Sequence, residues 1–265
     1  MRIRIPDWAI YFLIVFLFYV NAVQVTPDLE GSVPPPDLGP MMPSESPRDT
    51  TVLVEMDAPA SGIGTAFAVD KSGTWLTARH VIDGCDEIGL NLGNGKVIRA
   101  GARVSENTDI GVLKTRWKRD PLPSDVSSSR RIGEHGYFFG FPQGRPGEAV
   151  AALLGRHRLM VRGRYRTEEA ILAWTEVGRT RGLRGSLGGM SGGPVLDVDG
   201  EVIGIVAAES PRRGRIYSVA PRSLKDVLPA IITDGADPIS DDSYGLEADR
   251  LRRQRRIAQV ICVVN

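Results

Sequence analysis

The sequence predicts an all-β fold of two antiparallel barrel-like units, closed by a helix and preceded by an N-terminal membrane segment. Three observations carry that prediction. Short β-branched and apolar runs recur between Gly, Asn and Asp turns. A polar stretch, Asp120 to Arg130, with prolines and serines, divides these runs into two series. Strands and helices do not alternate as a parallel sheet would require.

The first series comprises Val52 to Met56, Thr65 to Val69, Trp75 to Thr77, Ile88 to Leu92, Val97 to Val104 and Ile110 to Leu113. Six short strands at this spacing suit a small antiparallel barrel over residues 51–119. The second series, over residues 131–221, runs through Gly136 to Phe141, Ala149 to Leu154, Leu159 to Tyr165, Ala170 to Glu176, Pro194 to Leu196, Val202 to Ala208 and Ile216 to Val219. Leu224, Val227, Leu228 and Ile231 give Arg222 to Ile232 an amphipathic, helical stripe that ends the unit 51–232. The tail, 233–265, is acidic, then basic at Arg250 to Arg256, then apolar at Val260 to Val264, and its pattern fixes no fold.

Of 265 residues, 42% are hydrophobic and 25% charged, an ordinary globular composition. A net charge of +1 gives no global argument for a nucleic-acid partner. The only two cysteines, Cys85 and Cys262, match no metal-ligand spacing, so the reading includes no metal and no cofactor.

Residues 1–25 read as a targeting segment. Arg2 and Arg4 precede the apolar run Ala9 to Val20, and Asp28 and Glu30 follow it, which places the rest of the chain outside the cytoplasm. The run has the length of a signal-peptide core, and Val20-Asn21-Ala22 offers a cleavage site. Its full extent from Trp8 to Val25 just spans a bilayer. The expectation is an uncleaved membrane anchor, with Trp8 and Tyr19 at the two interfaces; secretion after cleavage is the alternative. Residues 26–50, rich in Pro, Ser, Asp and Gly, read as a stiff, solvated linker.

Hydrolysing an amide with a hydroxyl requires a base, an acceptor that fixes the base's tautomer, and donors for the developing oxyanion. Ser191 lies in Gly188-Gly189-Met190-Ser191-Gly192-Gly193-Pro194, where glycines permit a tight turn. The N–H groups of Gly189 and Ser191 would form the oxyanion hole. His80, one of three histidines, ends the strand-like Thr74 to Ala78, and Asp109 precedes the buried strand Ile110 to Leu113. Taken singly, each has a plainer reading: a glycine-rich hairpin, a structural histidine, a turn aspartate. Together and in this order they read as nucleophile, base and orienting acid.

The segments T-A-R-H-V, T-D-I-G-V-L-K and G-M-S-G-G-P-V, in that order over residues 51 to 221, resemble the motifs of the trypsin-like serine peptidases. The short His80 to Asp109 interval and Gly140-Phe141-Pro142-Gln143-Gly144 resemble the bacterial exported branch related to the heat-shock periplasmic proteases. The resemblance implies a chymotrypsin-like double barrel, with His80 and Asp109 on the first barrel and Ser191 and Gly189 on the second. It also implies a specificity pocket based at Gly185 and walled by Ala207, Ala208 and Glu209, with preference for a small or medium apolar side chain. Two positions depart from the pattern: Met190 stands where digestive members carry an aspartate, and Arg79 where alanine is usual. The residues after the helix suffice for a further helix and strand, not for a peptide-sensing domain of the PDZ kind.

The basic loop Arg179 to Arg184 reads as solvated or as a gate, and Arg250 to Arg256 as a solvated helix face. Export to an oxidising compartment makes a Cys85–Cys262 disulfide plausible, the alternative being two independent buried thiols. The sequence thus reads as a serine endopeptidase acting on exported polypeptides. The alternatives are a catalytically silent protease-like binding module and, less in keeping with the strand pattern, an esterase.

Overall fold

The computed structural model describes residues 33–93, 95–228 and 237–265, so the proposed membrane segment lies outside the described residues. Among the described residues no helix is long and apolar enough to cross a membrane. The described residues are mostly β-strand, arranged as two seven-stranded sheets.

The first sheet contains β2 (Gly62–Ala68), β3 (Thr74–Ala78), β4 (Glu87–Gly93), β5 (Lys96–Arg99), β6 (Gly101–Val104), β7 (Ile110–Lys114) and β14 (Ile257–Val263), in the order β5-β4-β14-β2-β3-β7-β6. The stretch expected as one strand, Val97 to Val104, is broken at Ala100. Its first half pairs with β4 and its second with β7, at opposite ends of the sheet. Strand β14 comes from the tail that had no predicted fold, and it inserts between β2 and β4.

The second sheet contains β1 (Thr50–Met56), β8 (His135–Gly140), β9 (Gly147–Gly163), β10 (Thr167–Arg179), β11 (Pro194–Leu196), β12 (Val202–Ser210) and β13 (Arg215–Val219). Here two expectations need correction. The runs Ala149 to Leu154 and Leu159 to Tyr165 fuse into the single long β9, and β1, expected in the first unit, pairs in parallel with residues 157–163 of β9. The reason is geometric: β8 pairs with β9 only as far as Ala152, so the outer half of β9 has a free edge. Val52, Val54 and Met56 pack on the core there while Leu53 stays exposed, the alternation of a half-buried strand.

Period-two alternation also divides the core. In β2, Ala66 and Ala68 join Trp75, Leu90 and Val260 inside the first sheet, while Phe67 joins a cluster shared by both sheets. In β10, Leu172 and Trp174 pack with Phe138 and Val195 inside the second sheet, and Ile171 and Ala173 face the shared cluster. Each such large side chain contributes about 1.5–3 kcal/mol by leaving water. Helix α3 (Tyr244–Arg253) adds Tyr244, Ala248 and Leu251 to the shared cluster.

The predicted helix Arg222 to Ile232 is a single helical turn, α2 (Pro221–Leu224), continuing as turns to residue 228, and residues 229–236 lie outside the description. The linker is not simply solvated: Gly39 N–H donates to Ile132 O, and Met42 N–H to Arg130 O. The polar crossover is tied down by Arg130, which bridges Asp125 and Asp197. The run Arg250 to Arg256 divides: Arg253 and Arg255 are exposed as a solvated face would be, while Arg252 and Arg256 are tied into the fold. Arg252, its side chain 8% exposed, pairs with Glu148, and Arg256 reaches the carbonyls of Asp120 and Pro121.

Candidate active site

Strand β3 runs directly into α1 (Arg79–Ile82), so His80 sits in a helical turn at a strand end. The first amides of a helix have no acceptor within it, and Asp109 supplies them. Arg79 N–H donates to the Asp109 carbonyl at 3.1 Å, and His80 N–H to its Oδ1 at 3.0 Å. With the backbone so fixed, His80 Nδ1 meets Asp109 Oδ2 at 2.7 Å. This contact places the proton on Nδ1 and leaves Nε2 as the acceptor in the neutral ring. Burial disfavours the imidazolium, but the charge and hydrogen bond of Asp109 outweigh it, so the imidazole pKa lies above its ordinary 6.5.

Arg79 packs its guanidinium over the Tyr165 ring, 3.8 Å from the centroid, and donates to the carbonyls of Ser105 and Glu106. It thereby clamps the loop leading to Asp109. Tyr165 in turn donates its hydroxyl to Asp109 Oδ1 at 3.3 Å.

The Ser191 turn leans on the strand that delivers His80. Thr65 N–H donates to Ser191 O at 2.8 Å. Gly192, at φ +84°, leaves no room for a Cβ, which would strike Thr77 Oγ1 and the Thr65 carbonyl and come within 2.7 Å of Ala78 N. Thr65 Oγ1 donates to Gly189 O and accepts from Phe141 N–H, fixing the Gly189–Ser191 turn from the first sheet. The amides around the turn are engaged: Gly188 with Ser186 Oγ, Met190 with Leu187 O, Gly192 with Val206 O and Gly193 with Met190 O. Among the described residues, those of Gly189 and Ser191 take no partner. Met190, the departure beside the serine, is fully buried in the second sheet's core.

The expected pocket residues divide. Ala207 and Ala208 lie on β12 against the shared cluster, whereas Gly185 is exposed with open space around its Cα. Glu209 is not a free carboxylate at the rim. It accepts Leu187 N–H through both oxygens and the Ser186 hydroxyl, tying down the segment before the Ser191 turn. Gln143, at φ +52°, donates from the opposite side to the carbonyls of Arg184 and Ser186. Cys85 and Cys262 are joined by a disulfide, with Cα atoms 5.5 Å apart. The roles of Thr65 and Tyr165, which reach across the two sheets, and of Gln143, which ties down Arg184 and Ser186 some forty residues on, have no signal in the residues beside them.

A profile of the trypsin-like peptidase domain matches residues 64–205, more than half of the chain and including all three site residues. The chain belongs to the trypsin-like peptidase domain family. Within that family it is 29% identical over 161 residues to a "Probable periplasmic serine endoprotease DegP-like" of Halomonas elongata, and 30% identical over 167 residues to a namesake from Hahella chejuensis. These matches cover 57% and 61% of this chain but only 30% and 33% of the relatives, so the chain aligns with about a third of their length. Among solved structures, the HtrA-type protease AlgW with decapeptide superposes at a TM-score of 0.50, with 24% identity over 62% of this chain and 50% of that one. The active form of the Rv3671c protease from M. tuberculosis gives 0.51, with 15% identity over 75% and 95%.

Proposed function

We propose that this trypsin-like chain is a serine endopeptidase that cleaves exported polypeptides through Ser191, His80 and Asp109. The observation that carries the reading is the 2.7 Å contact between His80 Nδ1 and a buried Asp109 carboxylate, at the strand end against which the Ser191 turn packs. Asp109 holds the imidazole with Nε2 as acceptor, and Nε2 takes the Ser191 proton as Oγ attacks the substrate carbonyl. The unengaged amides of Gly189 and Ser191 receive the oxyanion. The imidazolium then protonates the leaving amine, and water, activated by the same imidazole, hydrolyses the acyl-enzyme.

Each sheet is read as a barrel, the second supported by β8 pairing with both β9 and β11, the first by residues 96–104 pairing at both of its ends. The substrate side chain next to the cleaved bond is assigned to the space between Ser186–Gly188 and Ala207–Glu209. With Glu209 engaged by the loop, an apolar side chain is preferred there. The periplasmic DegP-like relatives support export, and residues 1–25 are assigned to the membrane. Labelling with a fluorophosphonate probe tests the reading: wild type takes up the probe on Ser191 and Ser191→Ala does not. Folded wild type that stays unlabelled would identify a protease-like binding module instead.

A further inference from the structure

A second buried carboxylate faces the site from the other sheet. Glu169, on β10, is 6% exposed, and its Oε1 accepts the backbone N–H of Asp109 at 2.5 Å, while Oε2 has no protein partner among the described residues. Asp109 is therefore held on every side. Its carbonyl caps Arg79, its Oδ1 receives His80 N–H and the Tyr165 hydroxyl, its Oδ2 faces the imidazole, and its own amide is anchored across the sheets. Asp109, His80 and Arg79 belong to the first sheet and its loops, Ser191 and Glu169 to the second and its loops. The Glu169 contact is thus a brace between the half that carries the base and the half that carries the nucleophile.

Building on the triad reading, we infer that Glu169 is a positioning residue that fixes Asp109, and through it His80, in register with Ser191. A neutral carboxyl suits this task, because it accepts the amide without placing a second negative charge beside Asp109. Burial supplies that state: it pushes the Glu169 pKa up to about 8, helped by the charge of Asp109 and opposed by the amide hydrogen bond. On the site side Glu169 meets Asp109, and around Asp109 and its Tyr165 partner stand His80, Arg79 and Arg164. Glu169 also borders a cavity of about 450 Å³, lined further by His157, Arg158 and Glu168 of the second sheet, Glu45 and Asp49 of the segment before β1, and Arg222 of α2.

The test compares Glu169→Gln, which keeps the acceptor, with Glu169→Leu, which removes it, using turnover per fluorophosphonate-titrated site and the low-field NMR resonance of the His80 Nδ1 proton. The Leu variant should lose roughly 10- to 100-fold in kcat with KM within about threefold, and its Nδ1 resonance should move or broaden. The Gln variant should retain kcat within about threefold and keep the resonance. In wild type that resonance should show a titration step near pH 8, and Glu169→Gln should lack it. Unchanged kcat per site and an unmoved resonance in Glu169→Leu would overturn the proposal. So would a loss beyond tenfold in Glu169→Gln, the deciding variant if the Leu protein fails to fold. The resonance reads the His80–Asp109 contact whether or not Ser191 is a working nucleophile, so a wild type that resists labelling defeats the triad reading and leaves Glu169 separately testable.

Discussion

The two sheets reach similar size by opposite routes. The second draws six of its strands from residues 135–219 and gains only β1 from before them. The first takes six strands from residues 62–114 and then a seventh, β14, from residues 257–263, placed between β2 and β4 rather than at an edge. The contrast extends to the proposed catalytic groups. The Ser191 turn is shaped by glycines within its own few residues, whereas His80 depends on Asp109, Tyr165, Glu169 and a disulfide beside its helical turn. Local glycines permit the Ser191 turn and Thr65 holds it from the first sheet, whereas His80, the proposed base, has no such local device and rests on residues remote in sequence.

If that contrast is right, damage on the two sides should differ in kind. Ser191→Ala should lose on the order of 10⁶-fold in kcat, the scale for removing such a nucleophile, without change in melting temperature. Substantial residual turnover by the pure variant would remove Ser191 from the mechanism. Asp109→Asn should lose on the order of 10⁴-fold, and a loss below tenfold would show that the acid does not set the tautomer. Cys262→Ser should act on stability instead. The disulfide spans 177 positions, and opening it should cost about 3–5 kcal/mol by loop-closure entropy. Denaturant unfolding under non-reducing conditions measures this, and a change below 1 kcal/mol would mean that β14 holds without its clip.

Two smaller effects follow from titration. Glu169 releases its proton near 4.5 in the unfolded chain and near 8 in the folded one, so its burial destabilises the fold progressively as pH rises between those values. Glu169→Gln abolishes that slope and should gain on the order of 3 kcal/mol over wild type between pH 4.5 and 7. Parallel urea curves for the two proteins at both pH values would refute the assignment. Finally, kcat/KM should rise with pH through an ionisation above 6.5, because Asp109 holds the imidazolium proton. A midpoint at or below 6.5 would indicate that the His80–Asp109 contact is absent in solution.

The sequence made most of this legible where the information is local. Short β-branched and apolar runs bounded by turn residues marked the strands, and the glycines around Ser191 marked a turn. It was silent where partners are distant. Nothing in Thr50–Met56 distinguishes a strand for the first sheet from one that finds the free edge of β9. Val260 to Val264 reads as apolar and β-prone in any surroundings, and only its neighbours make it a central strand. Glu169 stood unremarked among the charged residues beside Arg166 and Glu168, since a buried carboxylate and a solvated one have the same letter.

The placement of β14 also has a consequence for the timing of synthesis. Residues 62–114 leave the ribosome some 140 positions ahead of the strand that must separate β2 from β4, a lag of the order of ten seconds at ordinary elongation rates. During that interval β2 and β4 present unpaired edges, and the histidine's helical turn lacks its covalent tie. The nascent chain therefore carries Ser191, the proposed nucleophile, before the sheet that supports His80 is complete. Under the proposed mechanism, the support of His80 is complete only when β14 has joined the sheet and the disulfide has closed.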